Sequence, residues 1–141
     1  MPKYRCVVAV PDRELYAGEV DYASIPGASG DYGVMSGHAG FVSMNRTGIL
    51  SLWLDPQGAE KRQFLISGGV AQVIDDCLSV LPRFGIALDA IDAKAVETEA
   101  GKLREKIEQH AEAGSEADEA ALQLDRDALA WCEEQLKAVR A

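Results

Sequence analysis

The composition of this chain changes abruptly near Gly85, and the change restricts the folds that the chain can adopt. Up to Leu81, short apolar and β-branched runs are interrupted every 6 to 12 residues by Gly, Pro or Asp, which is typical of antiparallel sheet. After Ile86, Ala, Glu, Lys, Leu and Asp predominate, as they do in helices. The sequence therefore predicts an α+β chain. Residues 1–86 should form a β-domain, and residues 87–141 an antiparallel two-helix hairpin.

Eight strands are predicted in the first part: Tyr4 to Val10, Glu19 to Ile25, Gly33 to Met35, Phe41 to Asn45, Gly48 to Leu54, Lys61 to Ser67, Gly69 to Ile74 and Cys77 to Leu81. The fifth of these is apolar at almost every position, so two sheets packed face to face would bury it better than one open sheet. We therefore expect an antiparallel β-sandwich. The segment Asp55-Pro56-Gln57-Gly58 predicts a type I turn, and Asp75-Asp76 a two-residue turn.

Caps and apolar spacing predict the two helices. Asp89 with Asp92 resembles a capping box and predicts a first helix of roughly Asp89 to Ala113. Gly114 would provide the left-handed residue that terminates this helix, and Ser115 with Asp118 would cap the second helix. The apolar stripes are Val96, Ala100, Leu103 and Ile107 in the first helix, and Leu122, Leu129, Cys132, Leu136 and Val139 in the second. Both stripes are narrow, so the hairpin buries little area by itself and we expect it to be able to detach and move.

Charge and hydropathy exclude several classes of partner. The chain has 14 basic and 23 acidic residues and a net charge of −9, which would repel phosphate backbones and anionic lipids. No run of about 18 apolar residues is present, and the first residues lack a targeting signal. We expect neither nucleic-acid binding nor direct membrane insertion. Cys6, Cys77 and Cys132 have no CxxC spacing and are expected to be buried and reduced.

The candidates for chemistry are few. His38 lies between glycines in Ser-Gly-His-Ala-Gly without an accompanying Cys-His or Ser-His-Asp pattern, so a loop cap or a subunit contact is favoured over proton transfer. His110 lacks a second ligand one helical turn away. The glycine-rich segment from Gly27 to Gly33 has no following Lys-Ser/Thr, and Asp31 would repel a phosphate, which favours an exposed partner-binding loop. We expect a non-catalytic chain without a metal. The acidic face of the hairpin is either merely solvated or used in charge-steered docking.

The order and spacing of seven segments along the chain point to a family. These segments are Val8 to Asp12, Leu15 to Val20, Ile25 to Gly27, Gly30 to Val34, Gly37 to Ala39, Phe64 to Val70 and Leu78 to Leu81. In order and spacing, this series resembles the epsilon subunit of bacterial F-type ATP synthases, whose mitochondrial counterpart is called delta. The resemblance covers about residues 4 to 81, and the hairpin matches only in position, length and composition.

The resemblance implies a β-sandwich followed by two helices, and a subunit of the central stalk that performs no chemistry itself. Such a subunit rotates with gamma, joins gamma to the ring of c subunits and transmits torque between ion-driven rotation and ATP synthesis. It implies a location on the cytoplasmic face of the bacterial inner membrane. It also places Gly27, Ser29, Gly30, Asp31 and Tyr32 at the c ring, and His38 and Ala39 at gamma.

For the hairpin, the resemblance implies contact with the catalytic alpha and beta subunits and control of ATP hydrolysis. Some members bind ATP through an Ile/Leu-Asp-x-x-Arg-Ala motif, but Ala95 occupies the arginine place here and Lys94 would point about 100° away. We therefore expect no ATP cofactor. On the second helix, four acidic residues (Asp125, Asp127, Glu133 and Glu134) lie among the basic residues Arg126, Lys137 and Arg140. Since basic residues on this helix are expected to meet an acidic loop of the beta subunits, we predict weak inhibition of ATP hydrolysis.

Two other functions are compatible with the residues taken singly. The chain could be a stand-alone interaction or ligand-binding module with a helical lid, or a small hydrolase built around His38. Neither explains the ordered match from Val8 to Leu81.

Overall fold

A computed structural model of the chain describes residues 2–113 and 119–140. The elements are β1 (Tyr4–Val10), β2 (Arg13–Val20), β3 (Tyr22–Gly27), β4 (Gly30–Val34), β5 (Phe41–Met44), β6 (Gly48–Trp53), β7 (Lys61–Ser67), β8 (Val70–Ile74), β9 (Cys77–Leu81), β10 (Phe84–Ala87), a 3-10 turn (Leu88–Ala90), α1 (Ala93–Ala113) and α2 (Glu119–Arg140). They form two compact units, Met1–Asp89 and Ala90–Ala141. The predicted caps Gly114, Ser115 and Asp118 lie outside the described residues.

The first unit is a sandwich of two five-stranded sheets. Sheet A has the order β2-β1-β9-β8-β5, and sheet B has the order β10-β7-β6-β3-β4. The predicted α+β class, with a β-sandwich followed by two helices, is confirmed. The strands are antiparallel to their neighbours except for β1 and β9, which are parallel. This one parallel pair was not predicted, because turn signals report only on strands that are close in sequence.

Several of the strands predicted from the sequence differ from those observed, among them the strand predicted from Gly33, which begins at Gly30. The predicted strand Glu19 to Ile25 is interrupted at Asp21, between β2 and β3. Strand β2 was missed because it is largely exposed and carries charged residues, and β10 because it is short and contains Gly85. Since β10 pairs with β7 as far as Ala87, β-structure extends past Ile86.

Both predicted turns are confirmed. The Gly58 amide donates to the Asp55 carbonyl oxygen at 3.1 Å, and the Asp55 carboxylate accepts from the Glu60 and Ala59 amides at 2.8 and 3.1 Å. These bonds, that from Glu60 foremost, lower the pKa of Asp55. Asp75 and Asp76 have φ values of 50° and 60°, as a two-residue type I′ hairpin turn between β8 and β9 requires.

The core lies between the inner faces of the two sheets. Its fully buried members include Cys6 and Val8 on β1, Ile25 on β3 and Leu52 on β6. The hydroxyl of Tyr4, also buried, donates to the Val34 carbonyl at 2.6 Å and so joins β1 in sheet A to β4 in sheet B. The sheets are therefore held by apolar packing together with a buried hydrogen bond.

This core should make the chain sensitive to alkaline pH. Burial raises the pKa of the Cys6 thiol from 9.0 to about 12 and raises the pKa of Tyr4 further still. The unfolded chain then releases these protons at lower pH than the folded chain, so stability is complete below about pH 9 and falls above it. We expect urea unfolding to lose about 1.4 kcal/mol per pH unit for each such group. Cys6→Ala should reduce this slope, and an unchanged slope would contradict the assignment.

The second unit contains α1 and α2. The Asp92 carboxylate accepts the Ala95 amide at 3.2 Å, and its carbonyl accepts the Val96 amide at 2.9 Å, so Asp92 caps α1 and the predicted start at Asp89 is wrong. Ala100, Leu103 and Cys132 form the buried core between the helices, with Val96, Ala128 and Leu129 packed against it. Arg140, near the end of α2, pairs with Glu97 near the start of α1. The helices are therefore antiparallel.

Candidate functional site

The sandwich presents three exposed regions. We call the first the turn end; it comprises the β3–β4 turn (residues 27–31) and residues 45–47 beside it. The second, the loop end, comprises residues 35–40 and the β8–β9 turn at residues 75–76. The third lies on the outer surface of β5, β8 and β9, and we call it the apolar face after its exposed apolar residues Val42, Met44, Val70, Ile74 and Leu81. By register, the polar residues Gln72 and Ser79 lie on the same surface.

Strand geometry and side-chain bonds shape the turn end. Ala28 and Ser29 form a two-residue turn, and the Ala28 amide donates to the Met44 carbonyl at 2.9 Å. Arg46 donates from Nη1 to the Gly27 carbonyl at 2.9 Å and pairs through Nη2 with the Asp31 carboxylate at 2.6 Å. The turn that was predicted as an exposed loop is thus tied to the segment that joins β5 to β6.

The predicted c-ring residues have different surroundings at this end. Gly27 is buried, while Ser29, Gly30 and Asp31 are exposed. The ring of Tyr32 packs edge-on against Phe41 with centroids 5.4 Å apart, and burial raises the pKa of Tyr32. Tyr32 therefore supports the turn from the core side, whereas Asp31 faces solvent.

The loop end holds His38 and Ala39. The Asp76 carboxylate accepts the Gly37 amide at 2.9 Å, and Gly37 has a φ of 80°. The His38 ring lies 5.0 Å from Phe41, and its Nδ1 is 2.8 Å from the Ala39 carbonyl. These contacts order the loop and leave His38 exposed, and they do not provide the base and nucleophile pair that a hydrolase would need.

The two groups of predicted contact residues are not brought together. The β3–β4 turn lies at the start of β4 and the loop of His38 at its end, so the five-residue strand separates them. At about 3.3 Å per residue this is roughly 16 Å. The residues predicted to make contacts thus lie in two regions at opposite ends of the strand rather than in one site.

The apolar face connects these two ends and was missed by the sequence analysis. Registers pair Met44 with Val70 and Val70 with Leu81, which places their side chains on the same surface of sheet A. Val42 and Met44 are 67% and 69% exposed, and Ile74 is 55% exposed. On the inner face, Ala71 and Val73 of β8 are buried in the core, and the half-buried Phe41 of β5 packs against it. A signal was present in β5, where Val42 and Met44 are apolar on one parity and Phe41 is apolar on the other, although a single buried face requires apolar residues on one parity only.

In the hairpin unit, Arg104, Lys137 and Arg140 line an open groove together with Glu133 and Leu136. One of these cations, Arg140, is already paired with Glu97. Asp92, the acidic residue of the eroded nucleotide motif, is engaged in capping α1. The groove therefore combines charges of both signs, and one of its cations is already neutralised by an ion pair.

In residues 2–113 and 119–140, His, Cys, Asp and Glu side chains do not form a group of three that could hold a metal ion. None of the helices in the same ranges is long and apolar enough to cross a membrane.

Comparison with known proteins gives consistent matches. Residues 3–84 match the family model described as the β-sandwich domain of the ATP synthase delta/epsilon chain. The ATP synthase epsilon chain of Bradyrhizobium sp. (strain ORS 278) is 33% identical over 115 residues, which are 82% of each chain. That of Parvibaculum lavamentivorans is 39% identical over 89 residues, covering 63% of this chain and 66% of the relative.

The fold is also found in a solved assembly, the Euglena gracilis mitochondrial ATP synthase OSCP/F1/c-ring. A chain of that assembly superimposes with a TM-score of 0.61 at 24% identity, covering 99% of this chain and 81% of its own length. This match shows the fold, while the family model and the relatives confirm the resemblance found in the sequence.

Proposed function

Since the chain belongs to the ATP synthase delta/epsilon chain family, we propose that it is a non-catalytic rotor subunit that joins gamma to the c ring. In this role it transmits torque between ion-driven rotation of the ring and ATP synthesis. The reaction itself takes place on other subunits. The chain would act as a peripheral subunit at the cytoplasmic face of the bacterial inner membrane.

The apolar face is the observation that carries this proposal. Val42 and Met44 leave most of their side-chain surface in water, on a strand whose other face is packed against the core. A cluster of exposed apolar side chains of this kind, here with Gln72 and Ser79 among them, marks protein interfaces. We assign it to gamma, because the face continues into the loop end, where His38 and Ala39 are the expected gamma contacts.

The turn end provides the second contact. Ser29, Gly30 and Asp31 are exposed at the far end of β4 from His38, so a partner there would not compete with gamma for space. We propose that this end meets the polar loops of the c ring. An adaptor between two rotor parts needs separate surfaces for each, and the sandwich offers them.

Complex formation tests the proposed function. The purified chain, mixed with gamma from the same cell, should elute as a stoichiometric complex at low and moderate salt, since apolar contacts resist screening. The assembled enzyme lacking the chain should regain ATP-driven ion pumping when the chain is added. Failure to form the complex at either salt concentration would refute the rotor assignment.

We further propose that the hairpin inhibits ATP hydrolysis only weakly and does not use ATP as a cofactor. The hairpin carries 14 acidic against 7 basic residues, counted over residues 87–141, and Arg140 is paired internally. Ala95 offers no cation to a phosphate, and Asp92 is engaged as a cap.

Truncation checks the hairpin proposal. A chain ending at Ala90, which keeps β10 and the 3-10 turn intact, should change ATP hydrolysis by the soluble ATPase by less than about twofold, equivalent to about 0.4 kcal/mol. The matched control is full-length chain added at the same ratio. A rise of tenfold or more on truncation would show strong inhibition and overturn the proposal.

A further inference from the structure

We propose that Arg46 is a positioning residue for the turn end: it holds the β3–β4 turn and the Asp31 carboxylate in the arrangement that meets the neighbouring rotor subunit. This inference rests on the proposed role of that turn as the c-ring contact. Arg46 was not singled out by the sequence, because its partners lie 15 and 19 positions away in the chain.

Arg46 engages the β3–β4 hairpin at three acceptors. Its backbone amide donates to the Pro26 carbonyl at 2.9 Å, and Nη1 donates to the Gly27 carbonyl at 2.9 Å. Nη2 lies 2.6 Å from Oδ1 of Asp31. A planar guanidinium can serve two such acceptors in fixed directions, which an ammonium group cannot do. The side chain therefore links the backbone of β3 to the carboxylate on β4.

The pair remains accessible to a partner. The Asp31 side chain is 62% exposed and that of Arg46 is 44% exposed. A pair exposed to this extent adds little to folding stability, but an ordered side chain spares a partner the cost of ordering it. The role of Arg46 is thus preorganisation of the contact rather than support of the fold.

The pair also changes the chemistry that this surface can recognise. With Arg46 beside it, Asp31 is part of a nearly neutral unit that offers both acceptors and donors. A partner surface that fits this unit is a polar loop carrying both kinds of group, whereas a cluster of lysines would meet repulsion from Arg46.

Folding of the turn does not depend on the guanidinium. The Ala28 amide is bonded to the Met44 carbonyl, and Gly27 bridges to Asn45. An Arg46→Met variant, which keeps a long side chain and loses the donors, should therefore fold with a melting temperature close to that of the parent. This allows positioning to be separated from stability.

Hydrogen exchange of the full-length chain tests positioning without any partner. In Arg46→Met, the Ala28 amide should exchange about fivefold faster, as expected for loss of a charge-assisted hydrogen bond nearby. Arg46→Lys should restore part of the protection. The control Arg62→Met removes an exposed arginine on β7, away from the turn, and should change nothing at Ala28. Equal exchange in Arg46→Met and the parent would overturn the inference.

Ion pumping in the assembled enzyme tests the functional consequence. Arg46→Met and Asp31→Asn should each lower the ratio of ions pumped to ATP hydrolysed, and the double variant should be no worse than the more affected single variant. Arg46→Lys should recover part of the ratio. Multiplicative losses, or an unaffected Arg46→Met, would overturn the positioning role. If even the parent chain fails to restore pumping, the rotor assignment itself is refuted, and the positioning role with it.

Discussion

Replacing Gly69 with alanine should destabilise the sandwich more than any other single change considered for this protein. Gly69 joins β7 to β8 with a φ of 70°, and an added Cβ would lie 2.0 Å from the Leu81 carbonyl oxygen and 2.8 Å from Cα of Pro82. These are main-chain atoms, so no rotamer change relieves the clash. We expect a loss of about 3–5 kcal/mol from left-handed backbone strain and overpacking combined.

The adjacent glycine is a matched control. Gly68 has a φ of 73°, but a Cβ there would meet only Cβ of Arg83 at 3.5 Å, an ordinary contact. Gly68→Ala should therefore cost about 1–2 kcal/mol, the strain of the backbone conformation alone. Urea unfolding followed by circular dichroism would measure both. If the two variants lost the same free energy of unfolding, the main chain at the end of β9 would have to move away from the added Cβ at little cost, and the packing argument would be wrong.

A double substitution on the apolar face, Val42→Glu with Met44→Glu, should abolish tight binding to gamma. Burial of two unpaired carboxylates at an interface carries a penalty of several kcal/mol, so the dissociation constant should rise at least about 100-fold. Both positions are largely exposed in the free chain, and the fold should therefore survive. Titration of gamma with the two chains, monitored by calorimetry, gives the comparison.

The control for this experiment is an equally exposed apolar residue elsewhere. Leu124 on α2 is 61% exposed, so Leu124→Glu makes the same change of chemistry in the hairpin unit instead of the sandwich unit. It should leave gamma affinity within about threefold of the parent. If the double variant binds gamma as tightly as Leu124→Glu does, the apolar face is not the gamma interface, and the loop end remains the candidate.

Local signals in the sequence predicted much of the fold. Strands β1 and β9 were predicted at their observed limits, and the turns at Asp55 and Asp75 form as their residues require. These features depend on neighbours in the chain. The strands that were missed, β2 and β10, are short or exposed edge strands. Such strands lack the alternation of apolar and polar residues that burial of one face imposes.

The surroundings of the two regions that we propose as contacts were predicted less completely. The loop with His38 and the turn with Asp31 were recognised from their glycines and from the family resemblance. Their partners Asp76 and Arg46 were not, because these contacts join positions 39 and 15 residues apart. The apolar face was missed for a related reason: exposure of Met44 beside Val70 is decided by which strands become neighbours.

The sequence by itself therefore determined the class of the fold, the change from strands to helices after the last strand, and the family, since periodicity, turn chemistry and ordered motifs are local properties of the chain. Only the tertiary structure decided that β1 pairs in parallel with β9, that the two contact regions lie at opposite ends of β4, and that Arg46 holds Asp31. Those features arise from strand order and register, which are set by burial of the whole core at once.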